Sequence, residues 1–445
     1  MQHVGLRLSL LWGYASQLLC AVLASAAAGS RGPPSRAFSL LYLSQVVGAL
    51  GQPLVLNNVT RLAADWFPGW ERDAAVATSM LCSAAGAVFI SIYAPVAVEA
   101  PAQMPRLFSW QVPAWGLLLG LALMFTVDEP AQPPSAAAAV QRASRRTAQR
   151  RKAELSPDGC AVPDTAPESL AVVVAHATST LHNNNFMCLN VSSALITEMV
   201  VSMATCIGQL LRPCGDSDDA VGASLAALSA LSAVGVLAYL YLLKIMVPPP
   251  MPGVPNRLPY VAHQIGWSAA SVAGVVLVLL CARPATPARV TVAVWGLLGL
   301  LSGTLLNGAL TLEHAAEVTF PLPANVSVAV LQMTGSLVGF AQVLAFTALL
   351  QGARVAACRS PLTTAFAFFV ALLAAAGMAC VAKLRPEYRR AEVEAGVASG
   401  HLAEAQMAQM APAQRWSLDS DRAGTGGEEL QPAAAFGSAS YGATA

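Results

Sequence analysis

Apolar residues in this chain neither alternate nor recur on one face of a helix. They run almost unbroken for about twenty positions and stop at proline, glycine or charge. A helix needs about 20 apolar residues to cross a bilayer, because its backbone groups find no water there and must bond internally. Ten stretches qualify, at about 6–29, 37–60, 74–98, 108–127, 188–211, 220–246, 260–281, 290–312, 324–351 and 362–383. Turn chemistry separates them, as at Gly32-Pro33-Pro34, Arg212-Pro213-Cys214-Gly215, Pro248-Pro249-Pro250, Arg283-Pro284 and Ser360-Pro361. Most connections are short, which predicts antiparallel helices packed against their sequence neighbours. The first run also resembles a secretory signal, with Arg7 ahead of Leu8 to Leu23 and small residues after it. Its length, with Trp12 and Gln17 inside it, favours a retained helix.

Composition fits that pattern. Hydrophobic residues make up 56% of the 445 and charged residues 11%, against about 25% charged in a soluble domain. Mean hydropathy is +0.56. This excludes a soluble globule and predicts an all-α polytopic membrane protein. A net charge of +1 leaves no global field for nucleic acid. The nine cysteines are scattered, without a C-x-x-C or a His/Cys cluster, and read as small packing residues. No cofactor and no metal is expected.

Charge sets the orientation. With the first helix starting inside, inner segments hold 17 Lys/Arg and outer ones 8, as the positive-inside rule requires. The sequons at Asn58, Asn190 and Asn325 then lie inside or within membrane and are expected to stay unglycosylated. Four units follow: an incomplete N-terminal bundle of four spans (1–127), a basic Pro/Ala-rich cytoplasmic loop (128–187), a six-helix C-terminal bundle (188–385) and a disordered cytoplasmic tail with a short amphipathic start (386–445). The run Arg142-Ala143-Ser144-Arg145-Arg146 to Arg150-Arg151-Lys152 either meets anionic headgroups or is a solvated topogenic loop. The expected state is a monomer in the plasma membrane or an endomembrane.

The long loop divides the spans four and six. Transporters built of two six-helix halves, each an inverted three-plus-three repeat, join them by one such loop. The simplest expectation is a twelve-helix chain lacking its first two helices. The residues agree. Ser44-Gln45 through Gln52, Asn57-Asn58-Val59-Thr60-Arg61-Leu62-Ala63, Trp66-Phe67, Ala77-Thr78 and Gly86 resemble helices four and five of the feline leukaemia virus subgroup C receptor-related transporters, solute carrier family 49 of the major facilitator superfamily. Glu313-His314-Ala315-Ala316-Glu317-Val318-Thr319-Phe320-Pro321, followed by Ser327 and Gly339, resembles the family's E-x-x-x-E-x-T-x-P segment entering helix eleven. The resemblance covers about residues 5–383, and His3-Val4-Gly5-Leu6-Arg7 looks like the end of the loop between helices two and three. It implies a facilitator that moves a small organic solute, with choline, ethanolamine, haem or a vitamin-type solute as known family substrates. Two glutamines at the family's choline site are Ala84 and Ser336 here, and the family's site tryptophan of helix one falls in the region expected to be missing.

Polar residues inside spans are the candidate site. Glu198 falls about mid-span; it holds a cation, carries a coupling proton, or sits neutral against a neighbouring helix. Glu313 and Glu317 lie four apart on one face. They pair with Arg61 or Arg257 as an inner gate, or are solvated helix-end charges; Arg61 alternatively snorkels as an anchor. Gln45 and Gln52 lie two turns apart on a span broken near Pro53, with Asn57 and Asn58 following. Gln332, Ser336 and Gln342 line another span. Such amides contact solute or bond between helices. Gly335 and Gly339 form a G-x-x-x-G for close packing, and His263 and His314 are too isolated to argue for metal.

A solute carrier is thus the first expectation. A membrane protease is disfavoured, because no span contains aspartate and Leu301-Ser302-Gly303 has no convincing partner. A non-transporting receptor or scaffold, or a truncated gene model, is the alternative.

Overall fold

A computed structural model describes residues 5–30, 33–68, 71–98, 100–135, 138–139, 170–212, 217–246, 259–281, 286–302, 304–320, 322, 324–353, 364–387 and 389–392. Among these, every regular element is a helix. Before the long loop stand α1 (Leu6–Ala28), α2 (Pro34–Leu56) with α3 (Asn58–Trp66), α4 (Arg72–Ala97), and α5 (Met104–Ser109) with α6 (Gln111–Phe125). After it come α7 (Leu170–His182), α8 (Asn184–Thr205) with α9 (Ile207–Leu211), α10 (Asp218–Met246), α11 (Tyr260–Cys281), α12 (Ala288–Ser302), α13 (Thr304–Thr319), α14 (Ala324–Ala353) and α15 (Thr364–Val381). Eight helical segments are long and apolar enough to span a bilayer, and α12 and α15 are shorter apolar helices, so each of the ten apolar runs is helical.

Two helix ends differ from the sequence expectation. The second span continues through α3 and takes in Asp65. α4 starts at Arg72, which places Asp73 in its first turn. A carboxylate there meets the unpaired amides and positive dipole end of the helix, so the element extends past the apolar run. The chain also stays helical through Pro53 and breaks at Asn57, one turn later. There the Asn57 amide still reaches the Pro53 carbonyl at 3.1 Å.

Glycine sets the approach of α1 to α2. A Cβ on Gly51 would stand 2.5 Å from the Ser16 Cβ, and one on Gly13 would stand 2.6 Å from Val55 Cγ2. The small surfaces let the backbones close, and Gln17 donates to the Gly48 carbonyl at 2.9 Å. Sequence neighbours pack here as expected. Elsewhere they often do not, because a short loop fixes direction but not adjacency: α6 lies on α1, α10 packs chiefly on α12 and α4, and α8 packs chiefly on α14 and α15.

Two apolar clusters fill the interior, and they differ in what they join. One gathers Ala63, Val76 and Ala77 from α3 and α4 with Phe186, Leu310, Val318, Val328 and Val381 from the C-terminal helices. It lies at the end where α3, α13 and α15 finish, which the charge count makes the inner end. The other cluster, around Met203, Leu228, Trp295, Phe346 and Phe366, lies at the opposite end, and among the described residues its members come from helices after the loop. Shared core thus welds the four-span and six-span groups at the first of these ends, and the packing of α4 on α10 joins them as well.

Within the expected loop, the apolar run from Leu170 folds as α7, so helix resumes well before residue 188. The basic run 142–152, Arg257 and residues 393–445 lie outside the described residues.

Candidate functional site

The welded end carries a buried polar cluster. Glu313 and Glu317, one turn apart on α13, are both buried and both turn to Arg390. Arg390 Nη2 donates to Glu313 Oε2 at 2.7 Å and Nε donates to Glu317 Oε1 at 2.8 Å. The backbone amides of Arg390 and Ala391 also donate to Glu317 Oε2, each at 3.2 Å. Burial opposes the charge on Arg390, but Glu317 and then Glu313 outweigh it and hold the guanidinium above the ordinary arginine range. The fork of Arg390 suits two carboxylates at once.

This corrects the expected partner. The pair meets neither solvent nor Arg61 but Arg390, in the expected amphipathic start of the tail, which folds back as a short helical segment at 389–392. Arg61 is buried with Asp65 one turn along α3, at 3.4 Å. Apolar sequence alone could not show this, since a tail can be ordered by one buried charge pair.

A second contact joins the two groups of spans. Tyr260, at the start of α11, donates from its hydroxyl to Asp73 Oδ1 at 3.1 Å. Its ring stacks on His314 with centroids 5.4 Å apart and planes 9° from parallel. Asp73, Tyr260 and Arg390 are functional candidates that the sequence reading passes over. Asp73 lies one residue before the expected span at 74–98, and Tyr260 is the first residue of the expected span at 260–281. The asparagines before and at the start of α8 complete the end. Asn183 caps the helix by accepting from the amides of Asn185 and Phe186, and its own amide donates to the Val318 carbonyl at 3.2 Å. Asn185 exchanges two hydrogen bonds with the Arg385 backbone, at 2.8 and 3.0 Å.

The midplane candidates separate. Asn58 is buried and donates to Ser9 Oγ at 2.7 Å, an interhelical bond; Asn57 is buried at the helix break. Gln45 and Gln52 stand on an uncovered face of α2. Glu198 is half-buried on α8 and lies over the two glycines of α14: a Cβ on Gly335 would be 3.0 Å from its Oε1, and one on Gly339 2.7 Å from its Oε2. The helix bearing Gln332 and Ser336 thus abuts Glu198. Gln332 is half-buried and Ser336 exposed. On either side the α8–α14 seam is bridged by hydrogen bonds: Asn190 donates to Thr334 Oγ1 at 3.1 Å, Ser202 to Gln342 Oε1 at 3.3 Å, and Gln342 Nε2 to the Leu195 carbonyl at 3.3 Å.

No protein-family model and no curated protein matches the sequence. Solved structures do. A bacterial homologue of the iron transporter ferroportin, in an outward-facing state, matches with a TM-score of 0.51 and 14% identity over 89% of this chain and 84% of its own. The proton:xylose symporter XylE bound to 6-bromo-6-deoxy-D-glucose matches with a TM-score of 0.56 and 11% identity over 88% and 82%. A double tryptophan mutant of XylE matches with a TM-score of 0.55 and 13% identity over 88% and 83%. The chain is an integral multi-pass membrane protein with the major facilitator superfamily fold.

Proposed function

We propose that this protein is a transporter that moves a small organic solute across the membrane by alternating access. The observation that carries the reading is the one-ended weld. The shared core and the Tyr260–Asp73 bond join the two groups of spans at the inner end, while the described residues of the apolar core at the opposite end come from the C-terminal helices. Two groups whose shared core and interhelical bond gather at one end suit a rocking carrier, with α4 on α10 as the seam about which they turn, because opening that end exchanges one set of contacts for another. The likeness to transporter structures supports this reading. In it, Glu313 and Glu317 with Arg390 brace the inner gate, and Arg61 with Asp65 stiffens α3 beside it.

The solute site is proposed at mid-depth, formed by Glu198, Gln332 and Ser336 from the C-terminal helices with Gln45 and Gln52 from α2. Asn57 and Asn58 shape the break in that span. The sequence resemblance supports family 49 membership and a choline-, ethanolamine-, haem- or vitamin-like solute. A single working copy and anionic lipid at 142–152 belong to the same proposal. The test is uptake and efflux of labelled choline, ethanolamine, haem and pyridoxine by the purified chain in liposomes, with Glu313→Gln/Glu317→Gln as the gate variant. Saturable movement of one solute, slowed in the variant, supports the reading. No movement of any of the four by correctly inserted protein removes it for these substrates.

A further inference from the structure

We infer that Glu198 is a proton-carrying site, loaded from the outer side and emptied when the inner end opens, so that transport is coupled to protons. The inference rests on the carrier reading above. Glu198 is fourteen residues into α8 from Asn184, about 21 Å along the axis at 1.5 Å per residue. It therefore sits near the middle of the membrane, where an ionised carboxylate is costly unless compensated.

Compensation is missing among the described residues. No hydrogen bond or ion pair reaches the Glu198 carboxylate, whose oxygens lie against the bare backbone of Gly335 and Gly339. The nearest amide donors along the seam are engaged elsewhere, Asn190, two turns away on α8, with Thr334, and Gln342, one turn beyond Gly339, with backbone carbonyls of α8. The elements packed on α8 bring no charge to this level. α14 and α15 contain no Asp, Glu, Lys, Arg or His. α13 brings Glu313, His314 and Glu317, and α11 brings Tyr260 and His263, all toward the inner end. α7 brings His176 and His182, and on α8 itself only Cys188 titrates besides Glu198. Among the described residues these helices place no Lys or Arg at this level.

Access differs between the faces of the same helix. One turn toward the inner end Ala194 is buried, and two turns that way Asn190 is buried. Toward the outer end Ser202, one turn on, and Cys206 are buried as well, and the uncovered residues are Val201 and Thr205 on the flank of that stripe. In this scheme a proton enters from outer water along the Val201–Thr205 flank while the Asp73–Tyr260 closure keeps inner water away. It adds to one carboxylate oxygen, crosses as the neutral acid, and passes to inner water once that end opens. The two glycines give the carboxyl room; any larger residue at either position would fill the notch.

The test uses the full chain in liposomes and two readouts. Infrared difference spectra between acid and alkaline pH need no solute: the wild type should show the carbonyl band of a protonated carboxylic acid that Glu198→Gln removes and Glu198→Asp keeps in shifted form. Uptake of labelled choline, ethanolamine, haem or pyridoxine should rise at least tenfold with an inside-alkaline gradient, fall with a protonophore, and lose gradient dependence in Glu198→Gln. An identical band in wild type and Glu198→Gln, or gradient-driven uptake unchanged by that substitution, overturns the inference. If none of the four solutes moves, the carrier reading loses support and the infrared band alone decides the role of Glu198.

Discussion

The Tyr260 hydroxyl meets the Asp73 carboxylate at 3.1 Å although 187 positions separate the two residues, and it bonds the four-span group to the six-span group. Removing the hydroxyl leaves a buried acceptor short of a donor, which costs about 1–3 kcal/mol. Tyr260→Phe is therefore expected to loosen the inner end, while the ring still stacks on His314. Hydrogen exchange in α13 and the first turns of α4 should speed up, and exchange in α12 should not. Equal protection in both proteins would show that the bond does not hold the closure.

Arg390 carries two carboxylates, so its loss strands both. Breaking a buried pair by deleting one partner costs about 3–5 kcal/mol, and Arg390→Ala should lower the melting temperature in detergent accordingly. Arg390→Lys should recover only part of the loss, because a single ammonium cannot reproduce the fork toward Glu313 and Glu317. A double-mutant cycle of Arg390→Ala with Glu317→Gln should give a coupling of about 0.5–3 kcal/mol; additive losses would mean that the two residues act independently.

Gly51 is where α1 and α2 touch. Gly51→Val places atoms where Ser16 already stands, an overpacking of about 1–3 kcal/mol. The melting temperature should fall, and Ser16→Gly should recover part of it by clearing space. Gly86, with open space around it, is the control: Gly86→Ala should be neutral or slightly stabilising.

Gly339→Leu should displace the Glu198 carboxylate or part α8 from α14, since even a Cβ there comes within 2.7 Å of it. Stability should fall by about 1–3 kcal/mol. Combining it with Glu198→Ala, which empties the notch, should restore most of the loss. No recovery in the double variant would mean that some other group fills the space.

The spans were legible because membrane insertion demands long apolar runs, and ten such runs cannot be hidden in a sequence. The face of α13 that bears Glu313 and Glu317 was legible too, from their spacing. Their partner was not. Arg390 lies in a segment whose composition reads as tail, and only tertiary contact orders it. Asp73 escaped notice for a related reason: hydropathy ends a helix where charge begins, whereas a first-turn carboxylate is favourable there and extends it. The close fit of Glu198 to Gly335 and Gly339 was half legible. The acid and the small-residue spacing were both visible, but their opposition depends on how α8 and α14 cross.

The central claim, that closure at the Asp73–Tyr260 and Glu313–Glu317–Arg390 end alternates with opening there, is tested most directly by paired spin-label distances. One pair would be placed at the exposed inner positions Leu62 and Lys383, the other at the exposed outer positions Arg36 and Arg289, in a background with the cysteines replaced. The account expects one short inner distance in the wild type. In Tyr260→Phe/Arg390→Ala a second, longer inner population should appear while the outer distance shortens. An inner distance that does not respond to removing both contacts, or inner and outer distances that lengthen together, would contradict alternating closure.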